Sequence, residues 1–210
     1  GRPGITLREC SIAIVGATGA IGRAMALLLA PFVRRLYLIG NPASSSASMT
    51  RMIQIGEEIV AGRHDLSQTF AFAKGPLQSQ IELLGRAESL RDRVLALEQS
   101  GALVLTSDWS EGLPHADVIV TATNSPDAAI RPDQPAQGAI ICDISRPSNV
   151  SRDMATQRPD VFVYDGGVVQ LPQGSELGMH TDLEKGLCYA CMAETMLIAL
   201  EDSLTLASLG

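Results

Sequence analysis

The sequence has few aromatic residues, which make up only 4% of its 210 residues. Hydrophobic residues nevertheless reach 46%, so we expect a sizeable core built mainly from alanine, valine, isoleucine and leucine. Charged residues contribute 19%, a balance that argues against intrinsic disorder. A chain of this length accommodates one large domain or two small ones.

The sequence also lacks clusters of lysine and arginine and long apolar runs. Its net charge of −7 argues against a nucleic-acid or anionic-membrane surface. No stretch approaches the roughly 18 uninterrupted apolar residues of a membrane span, and no signal peptide is recognised. We therefore expect a protein that neither crosses a membrane nor binds nucleic acid.

Cysteine is scarce and is not arranged as a disulfide framework. The four cysteines are Cys10, Cys142, Cys188 and Cys191, which predicts a reducing, cytoplasmic location. Cys188 and Cys191 form one C-x-x-C pair, but no second pair or paired histidines supply the other ligands of a structural zinc. We expect no metal site. Because the chain begins with glycine rather than methionine, we also expect it to be part of a longer protein.

Short apolar runs alternate with helical patterns along the chain. Continuous apolar character is typical of buried parallel strands, and such runs occupy 10–16, 35–40, 102–107, 117–123, 139–145 and 161–167. Helices are predicted at 20–30, 52–60, 77–99 and 184–203, with Ser48 or Thr50 capping the second. This order predicts a Rossmann-like, doubly wound α/β fold with a mostly parallel sheet of about six strands. We expect one cofactor-binding domain over 1–210.

Three glycines follow the first predicted strand in the sequence G-A-T-G-A-I-G, and a helical pattern comes next. This context predicts a dinucleotide-binding turn. Gly16 allows the tight turn, Gly19 lets a pyrophosphate approach the backbone, and Gly22 lets the helix pack on the strand. Because a helix N-terminus favours phosphate, we assign the pyrophosphate to Gly16, Thr18, Gly19, Ala20 and Ile21. The alternative is a degenerate turn in a non-binding α/β domain.

The end of the second predicted strand indicates which dinucleotide is preferred. An NAD site usually has Asp or Glu there, accepting from the ribose 2′-hydroxyl. This strand ends in L-I-G-N-P-A-S-S-S, with no acid before Glu57. Hydrogen-bond donors are present instead, and we assign a 2′-phosphate to Asn41, Ser44, Ser45 and Arg51. The sequence therefore favours NADP(H) over NAD(H), although the serines are equally typical of a solvated loop.

Loops after the later strands are expected to face the nicotinamide half of the cofactor. Thr123 and Asn124 are predicted to line a ribose, and Gly166 and Gly167 to let the backbone approach the ring. Residues 186–201 are apolar nearly all round, which predicts a buried helix. Cys188 and Cys191 lie near its predicted start, where the helix dipole favours a thiolate. Inert packing is the alternative for both cysteines.

Several motifs together resemble one family, the cyanobacterial-type long-chain fatty acyl-ACP reductases and related predicted amino-acid or shikimate-like dehydrogenases. They are IAIVGATGAIGRA, HADVIVTATNSP followed by IICDISRPSNV, VFVYDGGVV and CYACMAETMLIALE. The resemblance implies that Cys191 is a nucleophile that attacks an acyl thioester. It also implies that NADPH then delivers hydride and an aldehyde leaves. The family has an N-terminal substrate domain that this sequence does not contain.

The sequence thus predicts an NADP(H)-dependent oxidoreductase that reduces an acyl-ACP or acyl-CoA thioester to an aldehyde. One alternative is a dehydrogenase of a small hydroxy or amino acid, in which Cys191 only packs. The other is a non-catalytic dinucleotide-binding or scaffold domain, in which the segment 64–99 contacts a partner. Assembly into a homo-oligomer is left open.

Overall fold

The computed structural model describes residues 6–62, 74–85, 89–123, 130–146, 148–172, 178 and 183–201. The chain divides into two compact units, Gly1–Tyr164 and Asp165–Gly210. No helix within the described ranges is long and apolar enough to cross a membrane.

A six-stranded sheet forms the basis of the fold, in the order β3-β2-β1-β4-β5-β6. β1 pairs in parallel with β2 and β4, β2 pairs in parallel with β3, and β4 with β5. This is the strand order of the Rossmann fold, so the predicted fold class is confirmed. All six predicted strands are present: β1 (Ser11–Val15), β2 (Arg35–Ile39), β3 (Leu103–Thr106), β4 (Val118–Thr121), β5 (Ile140–Asp143) and β6 (Phe162–Asp165).

The central strands are apolar without alternation because both faces of the sheet are covered. Successive side chains of a strand point to opposite faces. Accordingly, Ile12 and Ile14 of β1 belong to one core cluster, whereas Ala13 and Val15 belong to a second cluster. Burial on both faces is the reason that the sequence pattern identified these strands.

Helices of the first unit connect the strands and cover the sheet. They are α1 (Ala20–Leu29), α2 (Ser45–Val60), α3 (Pro76–Leu83), α4 (Leu90–Gln99) and α5 (Met154–Gln157). The predicted cap of α2 is wrong, because α2 begins before both Ser48 and Thr50. Ser48 is buried inside the helix, and its Oγ accepts a hydrogen bond from the backbone N–H of Asn41 at 3.2 Å.

The predicted helical region over 77–99 consists of two helices, α3 and α4. The backbone of Leu84 turns extended at the end of α3 (φ −70°, ψ 124°). Ser89 then begins α4 as its N-cap, with its side chain accepting from the N–H of Asp92 at 3.1 Å. Inside a continuous helix the N–H of Asp92 would donate to a backbone carbonyl of the preceding turn. Here it donates to the Ser89 side chain, as at a helix N-terminus, so a second helix starts at this point.

The second unit contains an antiparallel pair, β7 (Val168–Gln170) and β8 (Leu187–Tyr189), followed by α6 (Ala190–Leu200). The last helix therefore begins at 190 rather than 184, because residues 187–189 pair with β7 instead of coiling. α6 has no buried residue, so the prediction of a buried helix is wrong. Within this unit the helix packs on a two-stranded hairpin, which is too small to cover all its sides.

Candidate functional site

A pocket of about 870 Å³ lies in the first unit, next to the carboxyl ends of the central strands. This is where ligands bind in open parallel α/β sheets. The lining comes from the turn after β1, the segments after β2, β3 and β4, and a short stretch before β5. The lining residues are Val15, Gly16, Thr18, Gly19, Gly40, Asn41, Pro42, Ala43, Ser45, Arg51, Ser107, Asp108, Trp109, Ala122, Thr123, Arg131 and Gln134.

Two glycines of the turn after β1 are required by the folding of the chain itself. Gly16 has a φ of 79°, a conformation that other residues rarely adopt. A β-carbon there would also lie 2.7 Å from the carbonyl oxygen of Ala122. At Gly22 a β-carbon would overlap the carbonyl of Gly16 and lie 2.8 Å from the Cα of Ala17. The tight turn and the close packing of α1 therefore both depend on glycine.

Gly19 differs from these two because none of the residues that the structure describes requires glycine there. Its backbone is extended (φ −78°, ψ 163°), and a β-carbon would meet its nearest atom, the carbonyl oxygen of Gly16, at an ordinary 3.4 Å. Gly19 is exposed, lines the pocket and is the N-cap of α1. Ala20 and Ile21 follow it as the first turn of α1, whose N–H groups lack acceptors within the helix. The turn thus presents open backbone to the pocket.

The segment after β2 forms the second side of the pocket. The Asn41 side chain accepts from the N–H of Ala43 at 2.9 Å and so caps the short 3₁₀ turn Pro42–Ser44. Asn41, Ser45 and Arg51 line the pocket, whereas Ser44 lies in the 3₁₀ turn between them and is exposed. None of the lining residues from this segment is acidic.

The segment after β3 lines the pocket and was not predicted to do so. Ser107, Asp108 and Trp109 come from this segment. The Asp108 carboxylate accepts from the side chain and backbone of Ser110 at 2.8 and 2.9 Å. These hydrogen bonds lower the pKa of Asp108, so it remains charged at neutral pH. The available signal was a run of polar residues directly after a predicted strand.

A buried carboxylate fixes the ends of β4 and β5. Asp143 is 3% exposed and accepts hydrogen bonds from Thr121 Oγ1 at 2.5 Å and from the N–H of Ser145 at 3.0 Å. Ser145 Oγ in turn accepts from the N–H of Thr123 at 3.2 Å. This network holds Thr123 in the pocket wall beside Gly16, and its contact with a ribose stays a prediction. Its neighbour Asn124 lies outside the described residues.

The second unit contains the predicted nucleophile. Cys191 is the second residue of α6 and is exposed, whereas Cys188 is fully buried on β8. Gly166 and Gly167 form the turn between β6 and β7. The carbonyl of Gly167 accepts from the N–H of Ala190 at 3.0 Å, so this turn contacts the residue just before Cys191. Within the described residues, no group of three His, Cys, Asp or Glu side chains is placed to hold a metal ion.

Comparison with known proteins gives a distant relative and a distant structural likeness. No protein-family model matches the chain. The chain is 32% identical over 180 residues to the aminotransferase PigE of Serratia sp., a match covering 82% of this chain. The chain spans only 18% of that relative's length. Among solved structures it resembles malate dehydrogenase from Naegleria fowleri with a TM-score of 0.36 and 14% identity, over 73% of this chain and 44% of the other. The fold assignment therefore depends on the strand order and not on this likeness.

Proposed function

We propose that the protein is an oxidoreductase whose first unit binds a nicotinamide dinucleotide, with NADP(H) preferred. The observation that supports this best is Gly19, which keeps the pocket side of the glycine turn open although packing against the described residues does not require glycine there. A phosphate needs close approach to backbone N–H groups at such a turn. The N–H groups of Gly16 and Gly19 donate to the carbonyls of Ile39 and Gly16 at 3.0 Å, so the donors proposed for the pyrophosphate are those of the first turn of α1.

The residues around the pocket can be assigned to parts of the cofactor. The pyrophosphate lies on the turn and the first turn of α1, against Gly16, Thr18, Gly19, Ala20 and Ile21. The adenosine ribose and its 2′-phosphate lie against Asn41, Ser44, Ser45 and Arg51, since an acidic partner for a 2′-hydroxyl is not among the lining residues of that segment. We assign the nicotinamide half to Thr123, which lines the pocket.

Substitution of Arg51 tests the preference for NADP(H). Arg51→Gln is expected to raise the Kd for NADPH about tenfold, because one charge-assisted contact to the 2′-phosphate is lost. The Kd for NADH should stay unchanged. Fluorescence titration of the purified protein with each dinucleotide measures both constants. Arg152→Gln is the matched control, since Arg152 is exposed and lies outside the pocket lining.

Three outcomes would contradict this assignment. Tighter binding of NADH than NADPH by the unaltered protein would show that the serine-rich segment does not hold a 2′-phosphate. An equal loss of affinity for both dinucleotides in Arg51→Gln would show that Arg51 does not contact the 2′-phosphate. Binding of neither dinucleotide at tens of micromolar would leave the non-catalytic interpretation.

The reaction that we propose is reduction of an acyl thioester to an aldehyde. Cys191 is exposed at the start of α6, so its sulfur is accessible to a thioester substrate. The sulfur would attack the thioester carbonyl and expel the carrier thiolate, leaving the acyl group on Cys191. The reduced nicotinamide supplies hydride to such a carbonyl when it is bound. Collapse of the resulting adduct returns the electron pair to the Cys191 sulfur and releases the aldehyde.

The name of the relative is consistent with this product. Aminotransferases transfer an amino group to a carbonyl compound, and an aldehyde is such a compound. A segment that forms an aldehyde would therefore supply the amino acceptor for a transaminating enzyme. Oxidation of a small hydroxy acid would also give a carbonyl compound, so the name does not separate the two reactions, and the proposal of thioester reduction depends on the exposed Cys191.

Trapping of the acyl-enzyme tests the role of Cys191. Incubation with acyl-CoA in the absence of NADPH should add one acyl mass to the protein, and NADPH should then remove it with release of aldehyde. Cys191→Ala should abolish the adduct. Cys188→Ala should retain it, because the buried Cys188 thiol is not accessible to a thioester.

An adduct that persists in Cys191→Ala would remove this cysteine from the mechanism. If the protein binds NADPH and forms no adduct with any acyl thioester, the alternative dehydrogenase of a small hydroxy or amino acid gains support. Mass spectrometry of the intact protein distinguishes these cases, and thermal unfolding of both variants checks that they are folded.

A further inference from the structure

Two arginines that come from different segments of the chain line the pocket. Arg51 belongs to α2, which follows β2, and Arg131 follows β4. In the sheet β1 lies between β2 and β4. The turn after β1 is therefore flanked by one arginine from the β2 side and one from the β4 side.

The backbone that carries Arg131 is held firmly although it is neither helix nor strand. Ile130 is fully buried, its N–H donates to the carbonyl of Asn149 at 2.7 Å, and its carbonyl accepts from the N–H of Ser151 at 3.0 Å. The N–H of Arg131 donates to Gln134 Oε1 at 2.8 Å. These bonds fix the point from which the Arg131 side chain extends into the pocket lining.

The residues after Arg131 are fixed by a third arginine. The Arg158 guanidinium donates to the carbonyls of Pro132 at 2.7 Å and Ala136 at 3.1 Å, and it also donates to the Asp160 carboxylate at 2.8 and 2.9 Å. The hydrogen bond from Arg158 holds the pKa of Asp160 well below its usual range, so this pair remains charged at neutral pH. A segment ordered in this way before ligand binding loses little conformational entropy when a ligand is bound.

The charges around the pocket favour a ligand with several negative charges. Among the described residues, the lining has two arginines and one carboxylate, that of Asp108, in a chain of net charge −7. The Arg131 side chain lies 3.3 Å from the Asp133 carboxylate, with 65% and 71% of the two side chains exposed. An ion pair so exposed contributes little, so the Arg131 guanidinium is able to exchange this partner for a phosphate.

We propose that Arg131 binds the diphosphate of the dinucleotide from the β4 side, while Arg51 contacts the 2′-phosphate from the β2 side. The inference rests on the proposed cofactor. The 2′-position of the adenosine ribose belongs to the end of β2, and the diphosphate belongs to the turn after β1, which is the strand next to β4. Arg131 therefore strengthens binding of both dinucleotides, and only Arg51 distinguishes between them.

Titration of Arg131→Gln with three ligands tests the proposal. Because the diphosphate is common to NADPH and NADH, Kd should rise by the same factor for both, about tenfold. Adenosine 2′-monophosphate has no diphosphate, so its Kd should not change in Arg131→Gln but should rise in Arg51→Gln. Arg131→Lys should recover part of the affinity, because it restores the charge without the planar fork. Arg152→Gln again controls for the change in net charge.

Several results would overturn the proposal. If Arg131→Gln loses affinity for NADPH but not for NADH, or binds adenosine 2′-monophosphate more weakly, Arg131 contacts the 2′-phosphate instead. Affinities equal to those of Arg152→Gln would remove Arg131 from the site while leaving the proposed cofactor intact. Failure of the unaltered protein to bind either dinucleotide would overturn both the cofactor and this inference. Equal unfolding temperatures of the ligand-free proteins exclude misfolding as the cause of any loss.

Discussion

At the scale of single residues, the glycines of the turn after β1 have two different roles, one in folding and one, as we propose, in ligand approach. Gly16 and Gly22 are surrounded by the chain's own backbone, and a side chain at either position would collide with it. Gly19 faces the pocket and has room for a methyl group. The same residue type therefore serves folding at two positions and, as we propose, ligand approach at the third.

This difference leads to a prediction for alanine substitutions. Gly19→Ala should leave the unfolding temperature close to that of the unaltered protein, since its backbone is extended and its surroundings are open. It should nevertheless raise the Kd for NADPH at least about tenfold, because a methyl group would hold the phosphate away from the N–H groups. Gly22→Ala should lower the free energy of unfolding by about 1–3 kcal/mol through overpacking. Thermal unfolding and fluorescence titration measure the two effects separately.

A Gly19→Ala protein with unchanged affinity for NADPH would show that no phosphate approaches this residue. A Gly22→Ala protein as stable as the original would show that α1 shifts easily on β1. The two variants control for each other, because they insert the same methyl group three residues apart in one turn.

Pocket residues that are brought together by the order of the strands could not be predicted from the sequence. The G-A-T-G-A-I-G pattern is local, so its turn and the following helix were predicted correctly. Asp108 lies in a polar run after β3, and Arg131 lies several residues after β4, but neither segment carries a motif that indicates a pocket. They line it because β3 lies beside β2 and β4 lies beside β1, which only the assembled sheet determines.

At the scale of elements, the strands were predictable and the end of the chain was not. Burial on both faces gives a continuous apolar signal, and all six strands of the main sheet carried it. β8 pairs with β7, some twenty residues earlier, and its apolar residues run directly into those of α6. A hydrophobic pattern cannot show where a strand that pairs at a distance ends and a helix begins.

This boundary changes how the two cysteines are understood. With the helix beginning at Ala190, Cys188 lies on a strand and is buried, whereas Cys191 lies in the first helical turn and is exposed. The sequence placed both near a single helix start and gave them similar surroundings. The structure therefore distinguishes the two cysteines by their exposure, which their spacing in the sequence did not do.

At the scale of the whole molecule, the features that we assign to cofactor binding and to acyl transfer fall largely in different units. Both core clusters and every residue lining the pocket lie within Gly1–Tyr164. Cys191 and the turn at Gly166 and Gly167 lie within Asp165–Gly210. Binding of the adenosine half and attack on a thioester should therefore be experimentally separable.

We expect a fragment ending at Tyr164 to fold and to bind NADPH, because it keeps both core clusters and every described residue that lines the pocket. Its Kd should lie within about tenfold of that of the whole chain, because the residues assigned to the adenosine half and the diphosphate are kept. It should form no acyl adduct, because Cys191 is absent. Titration and intact-mass measurement of the fragment and the whole chain test this directly. A fragment that shows cooperative unfolding but no NADPH binding would mean that the second unit supplies most of the cofactor affinity, and the assignment of the pocket would then be wrong.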